Sequence, residues 1–281
     1  MTNVKDLLLG EDFVSAKRTS LDKGIDRILS GDQDQILDFF SNYIHWNGVF
    51  AGCVVNLASR FHLGLNYGIY EPGTTEDIFF KTMGHKVAGL IFAAAEDEYA
   101  DENCKDEDQR IEHKTMAWFT LNKMYEFYDA DISSRKLHPM MNSVLTEVRM
   151  SYGVQQESEF LDLVRQLGFH IGSEKVASYE FGILADKMKE THPALTAWME
   201  AQEMTEGINA FSWVEVHGPV EDAHANYAID AAQMIVDYVG SRDYELCELV
   251  MRELKAGFKD FSDHQDFFFN NYITSLSKQN A

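Results

Sequence analysis

The chain has 281 residues, with 46 Asp and Glu against 24 Lys and Arg, for a formal charge of −22 at neutral pH. An acidic surface with no Lys/Arg cluster disfavours nucleic acid and anionic membrane as partners, leaving a small molecule as the expected ligand. Only four prolines, 45% hydrophobic content and long helical periodicities, without the short alternating runs of a β protein, predict an all-α fold in one domain spanning residues 1–281.

Along the chain, residues 1–20 are mixed in character and are expected to be loosely held. The opening MTNVKDLLLGED lacks the basic region and apolar core of a signal peptide, and the apolar run VAGLIFAAA is too short for a bilayer span, so a cytoplasmic protein is expected. From residue 33 to about 61, Ile36, Phe40, Tyr43, Phe50, Cys53, Val54 and Leu57 recur at helical spacing and predict one long first core helix. The Gly- and Pro-bearing LNYGIYEPGTT ends it. Further helices are predicted over about 76–101, 110–128, 138–152, 157–168, 173–190 and 194–208. A helix to about residue 239 and one long or kinked terminal helix follow. NCKDEDQ reads as a solvated connection, and no repeat or linker divides the chain.

Chemistry concentrates in VEVHGPVEDAHANYA. His217, Glu221 and His224 stand at i, i+4 and i+7, on one helix face that continues through Ala228, Ala231 and Ile235 toward the core. Gly218-Pro219 reads as the helix start, which would leave His217 at its entrance. Two imidazoles and a carboxylate suit iron, manganese or zinc, and a two-metal site needs further carboxylates. Glu180, in ASYEFGILADKM, shares an apolar face with Ala177 and Leu184, where a carboxylate is costly unless paired or metal-bound. His113 shares a face with Met116, Ala117, Thr120 and Met124, while Glu98 and Glu102 continue the stripe of Ile91 and Ala95.

In this order, an acidic residue closing one helix, a His opening the next, a Tyr-Glu on a later helix and then His-x-x-x-acid-x-x-His, residues 91–228 resemble the haem-oxygenase-like diiron oxidases and oxygenases. That superfamily includes chlamydial death-domain-associated protein-like members, alkene-forming fatty acid decarboxylases and N-oxygenases. The resemblance implies a haem-oxygenase-like bundle of about seven core helices with short extra helices. It also implies two Fe(II) ions, with manganese as an alternative, and O2 as co-substrate. Its ligands would be Glu102 (with Glu98 as the alternative), His113, Glu180 as the bridging carboxylate at the reactive centre, and the triad His217, Glu221 and His224. The family has Asp where this chain has Glu221, and a shorter interval before the first His. The implied activity is N-oxygenation, hydroxylation or oxidative C–C cleavage of a small amine, amino acid or fatty-acid-like substrate, with an external electron donor and a homodimer both allowed.

Other readings compete. A carboxylate-rich site poorly suits haem, and a ferritin-like site needs Glu-x-x-His on two helices, whereas here it occurs once among the candidates, at Glu221 and His224. Cys53, Cys104 and Cys247 form no C-x-x-C pair, which argues against zinc ribbons and iron–sulfur clusters. Cys53 or Cys104 would be the nucleophile of a metal-free, thiaminase-like hydrolase, the runner-up, and a non-catalytic interaction protein is the third reading. His45, His62, His85, His138, His170, His192 and His264 are read as hydrogen-bonded core residues. Phe39, Trp46, Phe50 and Phe92 are candidates to line an apolar substrate space.

Overall fold

The computed structural model describes residues 3–63, 70–100 and 111–279. Eleven α-helices run through them: α1 (Val4–Leu8), α2 (Glu11–Leu29), α3 (Gln33–Asn47), α4 (Phe50–Leu63), α5 (Thr75–Tyr99), α6 (His113–Phe127), α7 (Met141–Ser151), α8 (Phe160–Thr191), α9 (Pro193–Glu200), α10 (Ser212–Gly240) and α11 (Tyr244–Gln279). A small antiparallel hairpin, β1 (Glu203–Thr205) and β2 (Ile208–Asn209), interrupts them. The chain folds as an all-α bundle. Its centre is α8, packed along both α10 and α11, with α5 lying against α4 and α10. The buried apolar side chains form one contiguous cluster.

Residues 3–20 are tied to the rest of the bundle. Val4 and Leu8 are buried, the Val4 amide donates to Gln233 Oε1 at 2.9 Å, and the buried Lys17 ammonium reaches Asp266 at 2.8 Å. These anchors lie more than two hundred residues away in sequence, so a local pattern does not reveal them.

The predicted long first helix is two. Asp32 caps α3 through a capping box with Gln35. The helix then ends at Gly48, whose amide donates to the Ile44 carbonyl, and α4 restarts at Phe50. The break turns Trp46 and Phe50 toward each other, with ring centroids 5.9 Å apart.

The opposite happens in α8, where the pattern predicts two helices and one of 32 residues forms. Its glycines are not breakers. A Cβ on Gly168 would collide with the Leu254 carbonyl oxygen, and one on Gly257 would collide with the Arg165 carbonyl oxygen. Glycine here lets α8 and α11 approach backbone to backbone.

The helix expected over 194–208 stops at Glu200, and Gly207 takes a positive φ of 88° in the hairpin that follows. The Asn209 side chain accepts from the Phe211 and Ser212 amides at 2.8 and 3.1 Å and starts α10. The helix therefore begins before Gly218-Pro219, and Pro219 lies inside it. His217 is in the second turn, within the helix rather than at its entrance. By length and composition, α5 is apolar enough to cross a bilayer, whereas the run VAGLIFAAA alone is not. In the fold its Phe80, Val87, Ile91 and Ala95 are buried in the core.

Candidate metal centre

Four helices converge on a polar pocket in this core. The end of α5 brings Asp97 and Glu98, the first turn of α6 brings His113, the middle of α8 brings His170 and Glu174, and α10 brings His217, Glu221 and His224. Apart from the partly buried Glu98, all of these are buried. Two groups of three could each hold an ion: Glu98, His113 and His217, and Glu174, Glu221 and His224, with the donor atoms of each group within 4.8 Å of one another. Metal–nitrogen and metal–oxygen bonds of about 2.0–2.2 Å would draw such donors together with small side-chain adjustments.

In the first group, His113 Nδ1 lies 3.4 Å from Glu98 Oε1, and the His113 and His217 rings are 4.5 Å apart. His217 Nδ1 sits 2.6 Å from the Trp213 carbonyl, which accepts from it and leaves Nε2 with its lone pair for a ligand. Phe181 stacks on the same ring at 4.5 Å and holds its orientation. In the second group, His224 Nδ1 is 3.3 Å from Glu221 Oε2 and 3.5 Å from Glu174 Oε2. Asp97 joins the two: its Oδ2 is 3.5 Å from His113 Nε2 and 3.7 Å from His224 Nε2.

Behind Glu174 stands a further layer. His170 Nδ1 is 3.1 Å from Glu174 Oε1, and the fully buried Tyr152 hydroxyl reaches His170 at 3.2 Å and Ser173 at 2.7 Å. Partners of this kind fix the direction of a coordinating carboxylate.

The electrostatics are those of a site built for positive charge. Burial works to raise Glu174, but hydrogen bonds from Glu221, His170 and His224, with the His170 charge, hold it well below the ordinary carboxylate range. Burial and the neighbouring Glu174 push Glu221 well above that range. His224 is lowered by burial yet raised further by Glu174 and Glu221, up to about 11. Burial also opposes ionisation of Glu98, but His113 and His217 draw it below its ordinary value. Without a cation such a set must hold protons, and a metal ion would replace them.

Of the sequence-predicted ligands, His113, His217, Glu221 and His224 fall in these groups, and so does Glu98. Glu102 lies outside the described residues. Glu180 belongs to neither group, and its place on α8 is taken by Glu174, which the apolar-stripe pattern does not single out. The two are six residues apart, which on a helix means about 9 Å of rise and a turn of about 240°, so they leave α8 in different directions. The sequence does carry a signal for Glu174: His170-x-x-x-Glu174 repeats the spacing of His217-x-x-x-Glu221 within an apolar run. His170 is correspondingly more than the plain core residue its surroundings suggest. Asp97 escapes the sequence pattern as well, because the neighbouring Glu98 is the residue in line with the apolar stripe.

A cavity of about 460 Å³ reaches this centre, lined by Glu98, His113, Glu174, His217 and Glu221 together with Trp46, Phe50, Trp118, Trp213, Phe261 and Glu180. Trp46 and Phe50 line it as expected of them. Phe39 is packed in an aromatic core cluster with Tyr43 and Tyr272 instead, and Phe92 is half exposed on the outer side of α5. His62 and His85 stack on each other at the surface, not in the core.

No family model matches the chain, and no curated protein matches it. Among solved structures it is similar to a CADD-like protein of unknown function from Nostoc punctiforme. The TM-score is 0.56, with 14% sequence identity over 90% of this chain and 87% of that one. At this identity the likeness is one of fold. The class so defined is an all-α bundle similar in fold to that protein, carrying, among the described residues, potential metal-ligand clusters in its core.

Proposed function

We propose that the protein is a non-haem diiron oxidase or oxygenase, with manganese as an alternative metal, acting on a small organic substrate in the cavity. One observation carries the reading: among the described residues, two neighbouring three-donor groups, all buried but for the partly buried Glu98, made of three imidazoles and three carboxylates. Glu98, His113 and His217 would hold one ion, and Glu174, Glu221 and His224 the other. Bound there, a pair of ferrous ions supplies the electrons and open coordination positions that O2 activation needs.

The chain's own residues do the rest. Trp213 fixes the His217 tautomer, and His170 orients Glu174. Glu221 and His224 hold protons that leave as a cation enters. Trp46, Phe50 and Phe261 wall the cavity and exclude water from the reacting atoms. N-oxygenation, hydroxylation and oxidative C–C cleavage all fit this arrangement. An external reductant, a homodimer and a cytoplasmic setting belong to the same proposal.

The thiol hydrolase alternative has less support. Cys53 is buried, burial pushes its thiol up to about 11, and it is not among the cavity's lining residues. Cys104 lies outside the described residues.

The test is anaerobic Fe(II) titration followed by rapid mixing with O2, on wild type and His224→Ala. Two irons per chain and an O2-dependent absorbance transient, both diminished in the variant, are expected. Absence of bound iron in the wild type would sink the proposal.

A further inference from the structure

Glu180 is the cavity's remaining buried carboxylate, 2% exposed and outside both ligand groups. Gln265 donates to its Oε2, and the Tyr43 hydroxyl lies nearby as a second neutral group. The nearest cation, Lys17, is engaged elsewhere, with the Ser262 carbonyl at 2.9 Å and Asp266 at 2.8 Å. A carboxylate has about four lone-pair positions, so these neutral groups leave acceptor capacity for the cavity. They also leave the charge without a direct cationic partner.

The walls next to it are aromatic. Trp46 and Trp213 line the cavity, and the buried Tyr43 ring lies 6.0 Å from Trp46 and 5.8 Å from Trp213. A carboxylate set among electron-rich ring faces is the environment in which proteins hold organic ammonium groups. The charge of the lining agrees. Glu98, Glu112, Glu174, Glu180 and Glu221 face the cavity, and among the described lining residues the one Lys or Arg is Lys114, at the exposed start of α6.

We propose that Glu180 and the rings of Trp46 and Trp213 form a subsite for a primary ammonium group, so that the substrate is a small organic amine with an apolar or aromatic body. This rests on the oxygenase reading for the chemistry done at the neighbouring centre. It selects among the substrates that reading allows: a fatty-acid carboxylate placed at this subsite would meet the like charge of Glu180. The two metal ions would be held by the three carboxylates and three imidazoles of their own groups, and Glu180, outside both, keeps its charge for the substrate.

Binding can be measured apart from turnover. Phenethylamine, its neutral isostere 2-phenylethanol and the anionic 3-phenylpropanoate would each be titrated calorimetrically at pH 8 into anaerobic Fe(II)-loaded protein and into the metal-free chain, with iron counted in parallel. The amine should bind at least tenfold tighter than the alcohol, and the acid weakest. Glu180→Gln should erase the preference for amine over alcohol and leave the alcohol affinity and iron count unchanged. Glu180→Asp, which keeps the charge, should retain part of it. Tighter binding of the acid, an unchanged preference in Glu180→Gln, or no amine binding at millimolar concentration would overturn the subsite. If the wild type binds no iron yet prefers the amine, the oxygenase reading fails and the subsite stands. If iron binds without amine preference, the reverse holds.

Discussion

Glu174 and Glu180 lie six residues apart on one helix, both buried, and the protein treats them in opposite ways. Glu174 is surrounded by His170, His224 and Glu221 and is held ionised, well below the ordinary carboxylate range. Glu180 meets neutral groups, and burial raises it to about 7 in spite of Tyr43, Gln265 and the more distant Lys17. Burial alone therefore does not identify a metal ligand. A convergent set of imidazoles and carboxylates is the arrangement that could hold an ion, whereas on the reading proposed above the buried carboxylate lacking a direct cationic partner is the one that meets the substrate.

The strongest way to break this contrast is to remove the charge from each side. Glu174→Ala should lose at least one of two irons per chain, counted after anaerobic loading, while Glu180→Ala should retain both. Equal losses would erase the distinction.

A second experiment uses pH. Glu180 has a folded-state value of about 7 against 4.5 when unfolded, so the native state holds the extra proton between these values. Stability contributed by this group is full below pH 4.5 and is lost as pH rises to 7. The shift corresponds to about 3 kcal/mol. Metal-free Glu180→Gln should therefore be more stable than wild type at pH 8 by up to that amount, with the difference shrinking toward pH 4.5. Urea denaturation at several pH values reads this directly, and a variant less stable than wild type at pH 8 would contradict it. A residue whose removal stabilises the fold is one retained for function.

Metal addition should sharpen the other half. A divalent ion at a hundred times its dissociation constant stabilises the folded chain by about 2.7 kcal/mol. Thermal melting with Fe(II) or Mn(II) should show that rise in wild type and a reduced one in His224→Ala. The smallest expected effect is at His170. His170→Ala leaves the six proposed ligands in place but removes the partner of Glu174, and it should weaken metal binding about 10- to 100-fold with little change in iron count at saturation. An unchanged affinity would make His170 a plain core residue.

Much of the centre is legible in the amino-acid sequence. His217, Glu221 and His224 are close together on one helix, so the 3.6-residue repeat alone brings them to one face. His113 and Glu98 are readable as polar residues on apolar stripes. Glu174 is not distinguished in this way, because a stripe names a buried face without saying which neighbour that face meets. Glycine is equally ambiguous: Gly48 ends a helix, whereas Gly168 continues one and admits the backbone of α11.

By itself, then, the sequence determined the helical class, the acidic surface and the α10 triad, because these depend on composition and on contacts within a turn or two. Tertiary structure alone decided which carboxylate of α8 joins Glu221 and His224 and which stands apart from both groups. That choice follows from the rotation of α8 about its own axis, and the rotation is fixed by close packing against α11 and α10, whose partner residues lie dozens of positions away in the chain.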